Sequence, residues 1–140
     1  MYRLTTAASF IILSCLLGSA SCEDEKQKPP AKSSCEGVIC TMMFAAVAVQ
    51  VQDAEGQPVI LDSTRTLNAS GALVHKGVKN YNGSYTVVDD SYREKLAMRT
   101  ESFTFVGYIG GQEVVQGMFS ISADCCHVSR SGGPEVLTLK

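Results

Sequence analysis

The chain has 140 residues, of which 45% are hydrophobic and 19% are charged, and its formal net charge is −2. This length suits a single domain, and the composition excludes a disordered chain, a collagen-like repeat and a coiled coil. The slightly acidic balance argues against nucleic-acid binding, for which a basic stripe is typical. With no Trp and only two His in the sequence, few options for catalysis remain.

The N-terminal residues have the three-part layout of a secretory signal peptide. Arg3 supplies a positive charge, residues 4–17 are mostly apolar, and the small residues 18–21 follow. A transmembrane helix needs about 20 strongly apolar residues, and this stretch is shorter and contains Thr and Ser. The sequence therefore predicts a cleaved signal peptide over residues 1–21, with a retained helix as the alternative.

Cys22 ends the small residues and precedes an abruptly polar run. The sequence Ser-Ala-Ser-Cys at residues 19–22 resembles the lipobox of bacterial lipoproteins, and a competing box ends at Cys15. The resemblance implies cleavage before Cys22 and a lipid on its sulfur, with ordinary secretion as the alternative. A lipoprotein cysteine carries at least two acyl chains, which hold a protein stably on a membrane. We therefore expect a bacterial cell-envelope protein on the outer membrane, and the acidic residues 23–25 resemble surface-export signals.

Residues 22–34 are predicted to form a flexible, lipid-anchored tether. They are polar, contain two consecutive prolines and have nothing apolar to bury. The twelve residues after Cys22 span at most about 40 Å when fully extended. The folded domain is accordingly expected over residues 35–140.

Four cysteines remain for this domain once Cys15 leaves with the signal peptide and Cys22 takes the lipid. They are Cys35, Cys40, Cys125 and Cys126. An even number of cysteines in an exported domain predicts two disulfides. A bridge between neighbours closes a strained ring, so Cys125 and Cys126 are each expected to pair with one of the earlier two. Two connectivities are then left.

Strand parity favours one of these connectivities. If residues 113–130 form one continuous strand, Cys125 faces the core and Cys126 faces outward. On the first predicted strand, Cys40 lies on the face opposite the inward valines. The predicted pairs are therefore Cys40–Cys126 and Cys35–Cys125, although a single β-bulge would reverse this argument.

A thiolate-rich zinc site is the alternative use of these cysteines. The four sulfurs and the neighbouring His127 include the ligand types that zinc prefers. The spacing differs from that of paired zinc knuckles, exported thiols oxidise, and no C-x-x-C redox motif occurs. The sequence therefore predicts neither a metal nor a cofactor.

The body of the chain predicts an all-β domain of about seven short antiparallel strands. Apolar residues alternate with polar ones, and Gly, Pro and Asn mark frequent turns. The predicted strands cover residues 41–53, 59–67, 72–75, 84–88, 102–109, 113–130 and 135–139. Residues 89–96 are compatible with one short helix, capped by Asp90 or Ser91. This pattern is typical of a β-sandwich.

Residues 49–59 resemble the opening of carboxypeptidase-regulatory-like domains, which have a transthyretin-like sandwich. In that family a strand ends in Asp, here Asp53, and a Gly-x-Pro-Val element follows, here residues 56–59. Residues 83–87 match a later G-x-Y-x-V element, and residues 125–128 are similar to small, uncharacterised bacterial lipoproteins. The resemblance implies a transthyretin-like fold without catalytic residues, with a general immunoglobulin-like sandwich as the alternative.

These features predict a non-catalytic envelope module that binds a partner protein or supports an envelope complex. The motifs of serine hydrolases, zinc proteases, P-loop proteins and dinucleotide-binding proteins do not occur in the sequence. Residues 89–90 are interpreted as solvated acids in a turn, and His75 and His127 as structural residues. A metal-binding or enzymatic domain around the Cys/His cluster is a further hypothesis.

Glycan binding is the main alternative function. Sugar-binding sandwiches commonly present exposed aromatic rings, whose flat apolar faces suit sugar rings. The candidate platform residues are Tyr81, Tyr85, Tyr92 and Tyr108. The same tyrosines can also be partly buried residues of the sandwich, so the sequence leaves both interpretations open.

Overall fold

A computed structural model describes residues 35–96 and 98–139. Within this part, eight strands follow one another along the chain. They are β1 (Ala46–Gln52), β2 (Ser63–Asn68), β3 (Leu73–Val78), β4 (Ser84–Asp89), β5 (Thr100–Ile109), β6 (Gln112–Ala123), β7 (Val128–Gly132) and β8 (Val136–Thr138). A 3-10 turn (Asp90–Tyr92) and the short helix α1 (Arg93–Leu96) join β4 to β5.

The strands form two sheets that enclose an apolar core. The smaller sheet has the strand order β4-β1-β8, and the larger has the order β3-β2-β5-β6-β7. Neighbouring strands are antiparallel except β1 and β8, which run parallel. The predicted all-β sandwich is confirmed, with eight described strands and one parallel pair.

Alternation along the strands determines which side chains enter the core. The inward positions of β1 are all valine, namely Val47, Val49 and Val51. The larger sheet contributes the rings of Phe103, Phe105 and Phe119, each at most 2% exposed. The rings of Phe105 and Phe119 meet edge to face with their centroids 6.4 Å apart. Burial of each such side chain contributes about 1.5–3 kcal/mol, so these faces hold the sheets together.

The two sequence elements that resemble carboxypeptidase-regulatory-like domains contact each other. Asp53 Oδ1 accepts a hydrogen bond from the N–H of Gln57 at 2.7 Å and so closes the turn after β1. Gly83 has a φ of 71°, and a Cβ there would lie 2.8 Å from the Cβ of Pro58. Only glycine combines this conformation with so close an approach. Membership of that family itself stays a prediction.

The first strand begins later than the sequence predicted, at Ala46 instead of Thr41. Its pairing with β4 starts at the Ala46–Asp89 pair. One residue earlier, the N–H of Ala45 donates to the carboxylate of Asp90 at 2.7 Å instead of to a neighbouring strand. The Ala45 carbonyl still accepts from the N–H of Asp90 at 3.0 Å, and residues 41–44 lie outside the sheet.

The second strand also begins later, at Ser63 instead of Val59. The N–H of Leu61 donates to the hydroxyl of Tyr85 at 2.7 Å, and that hydroxyl lies 3.0 Å from the carbonyl oxygens of Val59 and Asn80. The Val59 N–H still donates to the Val51 carbonyl of β1 at 2.9 Å, but the Leu61 N–H is paired with this buried hydroxyl and not with a strand, so no regular ladder forms over residues 59–61.

The predicted strand over residues 113–130 is two strands joined by a sharp turn. The Asp124 carboxylate accepts hydrogen bonds from the N–H groups of Cys126 and His127, both at 2.7 Å. The Asp124 N–H donates to the His127 carbonyl at 3.0 Å. The chain therefore reverses here, and β7 returns antiparallel to β6. Alternation alone missed the turn because an Asp side chain, and no Gly or Pro, makes it.

Other strand ends differ from the sequence prediction by one to three residues, and so does the helix cap. The third strand runs to Val78 and not to His75, because it pairs with β2 from Ser63 to Leu67. The residue that caps the short helical segment is Asp89, whose carboxylate accepts from the Ser91 N–H at 2.9 Å. Neither Asp90 nor Ser91 is the cap, since Asp90 faces the interior.

Candidate functional site

Two disulfides join the N-terminal segment of the domain to the turn between β6 and β7. Cys35 bonds to Cys125 and Cys40 bonds to Cys126, and in both bridges the Cα atoms are 5.3 Å apart. This is the pairing that strand parity favoured, although the reasoning behind it was wrong. Parity applies only within a strand, and none of these cysteines lies in one. Cys40 precedes β1, and Cys125 and Cys126 lie in the turn between β6 and β7 with half-buried side chains. Because Cys125 and Cys126 are adjacent in this turn, their sulfurs bond to two cysteines of the same N-terminal segment.

Asp90 forms a buried link between three parts of the chain. Its carboxylate is 5% exposed and accepts hydrogen bonds from the N–H of Ala45 at 2.7 Å and of Val128 at 2.8 Å. Its Oδ2 also lies 2.8 Å from His127 Nδ1, which must donate because an ionised carboxylate only accepts. The interpretation of Asp90 as a solvated turn residue was therefore wrong. Nothing in the local sequence marks the contact, which joins residues 37 positions apart.

The pKa values of both acids at this turn are set by competing causes. Burial raises the pKa of Asp90, but the hydrogen bonds from Ala45, His127 and Val128 outweigh burial and leave that pKa below its ordinary value. The backbone N–H groups of His127 and Cys126 likewise lower the pKa of Asp124. Both carboxylates are accordingly ionised and accept hydrogen bonds at neutral pH.

Thr41, His127 and Asp90 stand in the order of a hydroxyl, an imidazole and a carboxylate. Thr41 Oγ1 lies 3.3 Å from His127 Nε2, on the ring edge opposite Asp90. Acyl-transfer chemistry also needs free N–H donors for an oxyanion. The adjacent N–H groups of residues 126, 127 and 128 all donate to Asp124 or Asp90. The arrangement therefore supports the turn and offers those donors to no substrate.

The most exposed apolar feature is residues 38–44, which we call the apolar segment. Its five large apolar side chains all reach solvent. They are Val38, Ile39, Met42, Met43 and Phe44, with Ile39 95% and Phe44 71% exposed. Met98, which is 46% exposed, has its sulfur 3.8 Å from the sulfur of Cys125 and so lies beside the Cys35–Cys125 bridge. Adjacent exposed apolar side chains of this size are typical of interaction sites.

The four candidate tyrosines occupy different environments. Tyr85 is buried at 3% exposure, and Tyr92 packs edge to face on Phe103 with centroids 5.6 Å apart. Tyr108 is half-buried, and the guanidinium of Arg65 lies 5.5 Å from its ring centroid. Tyr81 is 76% exposed. Burial therefore removes Tyr85 from the candidate sugar platforms, and Tyr81 is the most exposed of the four.

The cysteine sulfurs of the described domain are all bonded as disulfides, so none of them is a thiolate available to zinc. Within residues 35–96 and 98–139, no group of three or more His, Cys, Asp or Glu side chains is placed to hold a metal ion. The arrangement offers no support for the zinc alternative.

The predicted signal peptide over residues 1–21, the lipid site at Cys22 and the tether over residues 22–34 lie outside the described residues. In the described part, no helix combines the length and apolar character needed to cross a membrane. Comparisons with protein-family models, with curated proteins and with solved structures each found no match.

Proposed function

We propose that the protein is a lipid-anchored, non-catalytic module of the bacterial cell envelope that binds a partner protein through the apolar segment, residues 38–44. The observation that carries this proposal is the exposure of five large apolar side chains on a segment clamped by two disulfides. An apolar surface of this kind gains free energy when a partner removes it from water.

The clamp supports binding by limiting the conformations of the apolar segment. The two bridges hold Cys35, three residues before its first residue, and Cys40 within it. Ala45, directly after its last residue, donates a hydrogen bond to Asp90. A segment ordered before binding loses less conformational entropy when a partner arrives, so more of the burial free energy becomes affinity.

Charge and composition favour a protein partner over a lipid surface. Residues 35–45 contain one acid, Glu36, and no Lys or Arg. Segments that bind anionic membranes usually combine apolar residues with basic ones. Glu36 and Asp124 are both exposed near the segment and would repel anionic headgroups. Met42 and Met43 instead suit a protein groove, since methionine adapts its shape to the partner.

The predicted anchor would bring this surface close to a membrane. The apolar segment begins four residues after the last residue of the predicted tether, which spans at most about 40 Å from the lipid on Cys22. The partner is therefore expected among proteins embedded in, or bound to, the same membrane. Attachment to one membrane raises the effective concentration of two such proteins for each other.

A photo-crosslinking amino acid at Met43 tests the proposal in intact membranes. We expect one discrete protein adduct, because the side chain at this position is 75% exposed within the apolar segment. The matched control is the same probe at Val78, a 77% exposed apolar position on β3. It should give no such adduct.

The captured protein then needs an affinity measurement on purified material. Wild-type protein should bind it, and Met42→Ser with Phe44→Ser should raise Kd at least tenfold while the melting temperature stays the same. Adducts to lipid alone, adducts only to a second copy of this chain, or an unchanged Kd in the double variant would contradict the proposal.

A further inference from the structure

Two consecutive methionines, Met42 and Met43, lie in the apolar segment with their side chains in solvent. They are 105% and 75% exposed, the highest values among the four methionines of the described residues. The sulfur lies close to the free end of this unbranched side chain, so a reagent dissolved in water reaches it directly. The segment that we propose as the binding surface therefore carries two thioethers that are open to chemical modification.

The cysteines of the described domain do not compete with these thioethers for an oxidant. All four are bonded in the two disulfides, and a disulfide lacks the thiolate that oxidants attack first. Met98 is less available, because it is 46% exposed and its sulfur lies 3.8 Å from the sulfur of Cys125. In the described part of the chain, Met42 and Met43 are therefore among the first sulfurs that we expect an oxidant to reach.

Oxidation by a peroxide changes the chemistry of a methionine side chain in one step. The thioether sulfur gives an electron pair to one peroxide oxygen, so an S–O bond forms and the O–O bond breaks. The second oxygen leaves as hydroxide and takes the proton of the transferred hydroxyl, which gives water. The sulfur loses two electrons, the peroxide gains them, and the product is methionine sulfoxide.

Sulfoxides at these two positions would oppose the binding of an apolar partner surface. Each sulfoxide oxygen is a hydrogen-bond acceptor, and its burial without a donor is unfavourable. Conversion of methionine to its sulfoxide disrupts methionine-rich interfaces for this reason. Because the side chains of Met42 and Met43 lie in solvent and outside the core, the sandwich and both disulfides should persist after the oxidation.

We propose that Met42 and Met43 form a modification site, at which a peroxide makes the apolar segment polar and so releases the partner protein. This inference rests on the proposed function, since it concerns the regulation of the same surface. The predicted export of the chain supplies the setting, because exported compartments are oxidising. Sulfoxide reductases convert the product back to methionine, so the loss of binding is reversible.

Titration of the purified mature chain in detergent with hydrogen peroxide tests the modification itself. Peptide mass mapping should show one added oxygen on Met42 and on Met43 before Met98 is oxidised, and the melting temperature should stay the same. Met118 is the matched control, because it is 67% exposed on β6 and lies outside the apolar segment. Its oxidation at a similar rate leaves the segment unchanged.

The affinity for the protein captured by crosslinking tests the consequence. Peroxide treatment of this chain, followed by removal of the peroxide before mixing, should raise the Kd of wild type by about tenfold or more. Met42→Leu with Met43→Leu has no thioether in the segment, so the same treatment should leave its Kd near the value of the untreated variant. Met118→Leu should lose as much affinity as wild type, because its segment still oxidises.

Three results would overturn this inference while leaving the proposed function intact. They are an unchanged Kd after both methionines of the segment carry oxygen, an equal loss of affinity in the leucine double variant and wild type, and oxidation of Met98 ahead of the segment. A failure of the proposed function is distinct, because untreated wild type would then yield no discrete protein adduct, and that result would overturn both proposals.

Discussion

At the scale of the residue, Asp90 shows how a polar side chain acquires a structural role through distant contacts. Its carboxylate accepts from Ala45, His127 and Val128, which belong to the chain before β1 and to the turn and strand after β6. The Asp124 carboxylate organises the same turn from the solvent side. Two acids therefore hold the site where the disulfides attach.

Asp90→Asn tests this role at neutral pH. An amide offers one acceptor oxygen and turns an NH2 group toward a backbone donor, so one of the N–H groups of Ala45 and Val128 is left without a partner. We expect a loss of about 2–4 kcal/mol in the free energy of unfolding, measured by urea titration of the oxidised protein. Asp89→Asn is the control and should cost under about 1 kcal/mol, because Asn caps helical turns as well as Asp does. Equal losses in the two variants would contradict the assignment.

The same carboxylate predicts a dependence of stability on pH. Because folding lowers the pKa of Asp90, its stabilisation is complete above the unfolded pKa of about 4 and is lost as pH falls through the lower folded pKa. Unfolding titrations from pH 6 to pH 2.5 should show a shallower acid decline for Asp90→Asn than for wild type. A decline remains in the variant, since the pKa of Asp124 is lowered too. Parallel curves for the two proteins would rule out Asp90 as a source of the acid sensitivity.

At the scale of the element, the two disulfides act together on one segment. They close loops with sequence separations of 90 and 86 residues that overlap almost completely. Once either bridge is formed, the other closes only a few additional residues at each end. Their contributions to stability are therefore expected to be far from additive.

Removal of the bridges one pair at a time tests this expectation. Loss of both bridges should lower the free energy of unfolding by about 6–7 kcal/mol in the chain-entropy account, from about 4–5 kcal/mol for the long loop and about 2 kcal/mol for the short loop that the second bridge closes. Cys35→Ser with Cys125→Ser alone should cost less than half of that amount, because Cys40–Cys126 still closes the long loop. Urea unfolding of wild type, the double serine variant and the variant with all four cysteines replaced by serine gives both costs. Equal losses of stability in the two variants would contradict the expectation.

At the scale of the whole molecule, the protein is a β-sandwich that we propose is held near a membrane by its N-terminus. The apolar segment lies at the start of the domain, next to the predicted tether. A lipid anchor and an exposed apolar segment would let one small domain bind a partner at the same membrane.

The anchor itself makes a direct prediction. Cys22→Ser removes the sulfur that the acyl chains require, so the protein should move from the membrane fraction to the soluble fraction. Two chains bind stably because each buried CH₂ contributes about 0.8 kcal/mol. Fractionation with a high-salt wash distinguishes lipid anchoring from electrostatic attachment. Retention of the variant on washed membranes would show that Cys22 is not the anchor.

The sequence by itself determined the fold class and the inward faces of most strands. Alternation with a period of two and the turn residues Gly, Asn and Pro are local signals, so they can be read without knowledge of the fold. The valines of β1 and the phenylalanines of β5 occupy the core as the alternation predicts. The even number of cysteines in the expected exported domain, which is four, likewise predicted two disulfides without knowledge of the fold. The signal peptide, lipid and family resemblance stay predictions.

Only the tertiary structure decided where the chain leaves the sheets and which side chains act together. The burial of Asp90 against His127, the reversal at Asp124 and the parallel pairing of β1 with β8 depend on contacts between distant residues. The hydroxyl of Thr64 beside Gly77 is another such contact. The alternation of apolar and polar residues cannot predict these features. It indicates the face of the strand on which a side chain lies, but not which distant residue that side chain contacts.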